Sequence, residues 1–103
     1  MTVTPEELRS AADNPSPPAE ICSLPAAALL KALWLVARGN WDAAHELAQN
    51  DDSYDGAWVH AHLHRVEGDL NNAGYWYGRA GRPRSEAPLD NEWHDIAAAL
   101  LSR

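Results

Sequence analysis

SYDGAWVHAHLHRVEGDLNNAGYWYGRAGRP, residues 53 to 83, carries two of the five tryptophans, all three tyrosines and three of the five histidines. It reads as two helices around a tight turn. The first runs from about Asp55 to Glu67, Gly68-Asp69 turns the chain, and the second runs from Leu70 to Ala80, where Gly81-Arg82-Pro83 stops it. Nowhere else are aromatic and polar side chains concentrated enough to suggest a site.

Working outward, the same turn occurs once more. A shift of 29 residues lays Ala37-Arg38-Gly39-Asn40-Trp41 on Val66-Glu67-Gly68-Asp69-Leu70, and the flanks agree in kind: Ala28 with Ala57, Leu30 with Val59, Ala32 with Ala61, Trp34 with Leu63. A helix from Pro25 to Arg38 is expected from Leu29, Leu30, Leu33, Trp34 and Ala37, which recur at three- and four-residue spacing. Asn40 or Asp42 caps the next helix, Trp41 to Gln49, and the cluster Asn50 to Ser53 ends it. Two similar helical hairpins in tandem are the result.

Thr4-Pro5-Glu6-Glu7 has the form of a helix start, with Glu7 placed to reach back to Thr4, and a short helix to about Asp13 follows. Its apolar stripe (Leu8, Ala11, Ala12) is narrow. Pro15, Pro17, Pro18 and Pro25 make the next segment a linker, so residues 1–24 are expected to be loosely packed against a helical core of residues 25–102. At the other end, Asp90 or Asn91 caps a last helix, Asn91 to Ser102, with Trp93, Ile96, Ala97, Leu100 and Leu101 at helical spacing. The expected fold is one all-α domain over residues 1–103: two tandem antiparallel hairpins, a C-terminal capping helix and a short N-terminal helix.

Gly68-Asp69-Leu70-x-x-Ala73 followed by Tyr77 and Ala80 resembles the second half of a tetratricopeptide repeat, and Gly39-Asn40-Trp41-Asp42-x-Ala44 resembles the same turn. The family's tryptophan and Leu-Gly signature in the first helix is absent, and Ala48 stands where the aromatic belongs in the first unit. The stretch from Trp58 to Pro83 is also similar to one in a bacterial protein family without an assigned activity. The resemblance implies stacked hairpins that bind another protein or peptide. Two units leave open ends, which the C-terminal helix covers on one side and the N-terminal segment or a second copy of the chain covers on the other.

Composition narrows the function. With 8 Lys+Arg against 15 Asp+Glu the formal charge is -7, and no basic stripe is present to neutralise phosphates, so nucleic acid is not expected. The apolar run from Leu24 to Val36 is broken by Lys31 and too short to span a bilayer, and the start has the pattern of no export signal, so a cytoplasmic location is the expectation. The one cysteine, Cys22, has no internal partner and reads as a small buried hydrophobe.

Helical phase and repeat register select one arc on the first helices of the two hairpins: Lys31, Leu35 and Arg38 opposite His60, His64 and Glu67. In an acidic chain this arc carries two cations and two titratable rings against one acid, which suits an acidic or carboxylate-terminated partner segment. Tyr75 and Arg79, one turn apart on the outer face of the second hairpin, form a second candidate surface. The alternative is a small-molecule or metal-dependent enzyme or sensor using His60, His64 and Tyr75, with Asp69 as a further candidate acid or base. His60 and His64 are four apart on one face, a spacing at which two imidazoles share a metal, but a third ligand has to come from elsewhere. His62 falls in the apolar arc of Trp58, Val59, Leu63 and Val66 and reads as a hydrogen-bonded core histidine. No Gly-x-Ser-x-Gly elbow, phosphate loop or Cys-His pair is present, so a non-catalytic module without a cofactor is expected.

Overall fold

A computed structural model describes residues 3–103 and contains six α-helices and no strand among them. They are α1 (Pro5–Ser10), α2 (Ala27–Ala37), α3 (Trp41–Gln49), α4 (Tyr54–Glu67), α5 (Leu70–Ala80) and α6 (Leu89–Leu101), with 3-10 turns at Ala11–Asp13 and Ala19–Ser23. No helix among the described residues is long and apolar enough to cross a membrane.

Local chemistry sets the helix starts. Thr4 Oγ1 accepts from the Glu7 amide at 3.1 Å while Glu7 Oε1 accepts from the Thr4 amide at 3.2 Å, a reciprocal cap. Asn40, Ser53 and Asp69 cap α3, α4 and α5 by accepting from the Ala43, Gly56 and Asn72 amides. Helix α6 differs from expectation: it begins at Leu89 behind Pro88, and neither Asp90 nor Asn91 caps it. Proline there fixes the entering backbone without a side-chain bond, and the acids Asp90 and Glu92 of the first turn meet the helix dipole.

The two inter-helix turns are the same object 29 residues apart. Gly39 and Gly68 both have φ +85°, a left-handed conformation that a side chain would strain. The amide after each glycine donates back five residues, Asn40 to the Leu35 carbonyl and Asp69 to the His64 carbonyl, both at 2.9 Å. This closure satisfies carbonyls that a helix end leaves orphaned.

Helix α4 lies at the centre, packing on α2, α3, α5 and α6. Every residue from Gly56 to His64 is buried, so α4 has neighbours all round rather than one wet face. This is why three histidines of a polar-looking helix are inside. Val66, expected inward, is 38% exposed.

The N-terminal segment is not loosely packed. Val3, Leu8, Ala11 and Ile21 are all buried in the same core as α2 and α6, while Met1 and Thr2 lie outside the described residues. The stripe is narrow, as the sequence indicates, but it is seated against α2 and α6 and tied by hydrogen bonds. Trp34 Nε1 donates to the Ala11 carbonyl at 2.7 Å, and the Arg38 guanidinium donates to the carbonyls of Ala12 and Asn14. Cys22, expected buried, is exposed: its 3-10 turn directs Ile21 to the core and leaves the thiol outside.

Candidate functional site

The short connection of residues 50–53 folds α4 back against α3, and this pairing joins three histidines. His45, in the second turn of α3, places its Nε2 2.9 Å from His60 Nε2. His64, one turn beyond His60, completes the group, and one ring nitrogen from each lies within 4.8 Å of the others. His60 and His64 are buried, and His45 is half-buried at the rim. The His64 ring is oriented by Glu67, whose Oε1 lies 2.6 Å from Nδ1. A carboxylate there favours the imidazole tautomer that carries its proton on Nδ1, in which Nε2 is the acceptor.

Tryptophans hold the rings. Trp41 stacks on His45 at 4.7 Å between centroids, and Trp76 from α5 stacks on His60 at 3.8 Å. His60 and His64 are themselves stacked at 4.9 Å. Burial, together with the neighbouring His45 and His64, pushes the His60 imidazole down to about 4, and burial followed by His64 lowers His45. Both rings are therefore neutral bases at pH 7. His60 Nδ1 is buried without a hydrogen-bond partner, so protein atoms alone leave the cluster's polar capacity partly unused.

A second buried polar group ties α4, α5 and α6. Glu92 Oε1 meets His62 Nδ1 at 2.7 Å and Arg65 at 2.8 Å, and its Oε2 accepts from the Tyr77 hydroxyl. Arg65 also donates to the Ala87 carbonyl at 2.6 Å, fixing the loop before α6. Burial alone would raise the Glu92 carboxyl, but the bonds from His62, Tyr77 and Arg65 outweigh it and hold it at about 2. Burial and the bond to Glu92 push the Tyr77 phenol up. His62 is thus the hydrogen-bonded core histidine its helical phase indicates.

The six positions of the sequence arc do not share one surface. Lys31 is exposed, Leu35 is buried, Arg38 is held by the N-terminal segment and over Trp34, and His60 and His64 belong to the histidine cluster. Glu67 reaches that cluster only through His64. Tyr75 and Arg79 do meet, with an Arg79 Nη1 to Tyr75 hydroxyl distance of 3.0 Å. Tyr75 is remote from the chemistry of the histidines except through its edge contact with Trp76.

Sequence reasoning passed over His45 and Glu92. His45 lies 15 residues from His60, and the only signal for it is the antiparallel return of α3 along α4. Arg82, part of the Gly81-Arg82-Pro83 stop, also covers the Trp58 ring at 3.5 Å, and Arg84 lies across Gly74, where a methyl group would collide with its guanidinium. No family model, curated protein or solved structure matches the chain.

Proposed function

We propose that the chain is a non-catalytic interaction module of two tandem tetratricopeptide-like hairpins, α2 with α3 and α4 with α5, that takes an acidic or carboxylate-terminated segment of another protein along α5 and the turn after it. The observation that carries this reading is that Arg79, Arg82 and Arg84 make no ion pair among the described residues of an acidic chain. Arg79 is held near Tyr75 and Trp76, and Arg82 lies over Trp58. A guanidinium resting on a ring has less rotamer freedom to lose on binding and offers a planar fork to carboxylates. The matching turns at Gly39 and Gly68 support the hairpin reading.

This reading moves docking away from the Lys31, Leu35, Arg38, His60, His64 and Glu67 arc, because Leu35, His60 and His64 are buried and Arg38 is held by the N-terminal segment, which leaves Lys31 as that arc's one exposed cation without such a tie. Titration of a labelled acidic peptide ending in a free carboxylate, followed by fluorescence anisotropy, tests it. Binding weakens as salt rises, and the double change Arg79→Glu with Arg82→Glu lowers affinity more than tenfold, about 1.4 kcal/mol or more. Lys31→Glu with Arg38→Glu has the smaller effect; the reverse order returns docking to the first arc. Absence of binding at low salt ends the proposal.

A further inference from the structure

Beyond peptide docking, the histidine cluster has a chemistry of its own. We propose that His45, His60 and His64 form a binding site for a divalent transition-metal cation of the zinc, copper, nickel or cobalt class. Three features of the site support this.

The first is geometry. A tetrahedral ion holds imidazole nitrogens at about 2.0–2.1 Å, which sets the nitrogens roughly 3.3 Å apart. The three rings already offer nitrogens between 2.9 Å and 4.8 Å from one another, so modest ring rotations within the packed cluster bring all three to one ion. His60 and His64 come from successive turns of one helix and His45 from the helix packed on it, so the ligands are set by rigid backbone rather than by a loop.

The second is the surrounding shell. Glu67 on His64 Nδ1 is the arrangement by which a carboxylate orients a metal-bound imidazole and raises its basicity. Trp41 and Trp76 stack against His45 and His60 and exclude water on those sides. His45 at the half-exposed rim gives an ion access, and three protein ligands leave a fourth position open to water or to a donor from a bound molecule.

The third is the state of the rings without an ion. Of two facing ring nitrogens only one carries the proton, and the remaining contact is a single N–H···N bond between His45 and His60, with His60 Nδ1 left unpartnered. The charged groups facing the cluster are Glu67 and Asp69 beside His64 and, from α3, Asp42, so the site is acidic overall and attracts rather than repels a cation. The donor set is imidazole with no thiolate, which suits these borderline ions over calcium or magnesium.

The test uses the full chain stripped with a chelator and then titrated with Co(II), Ni(II), Cu(II) or Zn(II). We expect one ion per chain for at least one of these metals, with the visible bands of imidazole-ligated Co(II) and quenching of Trp41 and Trp76 fluorescence by Cu(II). His45→Gln sits at the rim and keeps the fold by circular dichroism, yet loses at least a hundredfold in affinity. Glu67→Gln loses about 10- to 100-fold while still binding one ion. His94→Ala, at an exposed position of α6 outside the cluster, binds as the unaltered chain does. Uptake of none of the four ions, or full affinity in His45→Gln, overturns the proposal; a loss of peptide binding with metal uptake intact bears only on the peptide surface.

Discussion

Glu92 Oε1 lies 2.7 Å from His62 Nδ1, and both side chains are under 5% exposed although they stand 30 residues apart. A carboxylate this deep is tolerated because Arg65 and Tyr77 occupy its remaining acceptor sites. Its carboxyl sits at about 2 in the folded chain against 4.5 for the free group. The unfolded chain takes up that proton first as pH falls. The stabilisation is therefore complete above about pH 4.5 and is lost as pH drops towards 2, on the order of 3 kcal/mol in all. Urea unfolding of the unaltered chain and Glu92→Gln checks this: the gap of about 3 kcal/mol or more at pH 7 closes as pH falls below 4. An equal gap at both pH values contradicts the assignment.

Gly39 and Gly68 test the equivalence of the two turns. Each has φ +85° with open space where a side chain would project, so an alanine there meets backbone strain and no collision. Gly39→Ala and Gly68→Ala should each cost about 1–2 kcal/mol, alike within about 0.5 kcal/mol. A large difference in denaturation midpoint between the two variants breaks the equivalence.

Gly56 has a different reason for being glycine. A Cβ there collides with the backbone carbonyl of Asp51, which cannot swing aside as a side chain end would. Gly56→Ala should destabilise by about 1–3 kcal/mol through overpacking, despite the better helix propensity of alanine. A variant as stable as the unaltered chain removes this account.

Leu8 reports whether the N-terminal segment is part of the core. It is fully buried, so Leu8→Ala should cost about 2–5 kcal/mol, and Trp34→Phe, which removes one of the two hydrogen bonds that the Ala11 carbonyl accepts, about 0.5–1.5 kcal/mol. Cleavage of residues before Ala27 by a protease under native conditions, without loss of thermal stability, counts against both.

Ala73 is 2% exposed on the face of α5 turned to α4. A leucine there should cost about 1–3 kcal/mol, measured as a fall in the unfolding midpoint, because the two backbones approach too closely to admit it.

Sequence by itself determined the helices and some of their ends, though not the start of α6 at Leu89. Helix α3 and helix α5 have the bounds that apolar spacing and turn residues indicate, and the caps at Thr4, Asn40 and Asp69 follow from bonds reaching only three residues along the chain. Such signals are local, so they survive in a one-dimensional reading. Tertiary structure alone decided what each face meets. Periodicity marks one arc of α4 as apolar, but neighbours on every side bury the polar arc too, and His60 and His64 become part of an internal cluster rather than a wet groove. His45 and Glu92 join their partners over 15 and 30 residues. No spacing rule reaches that far, because those contacts are set by how whole helices pack against one another, and a side chain's chemistry depends on which water that packing removes.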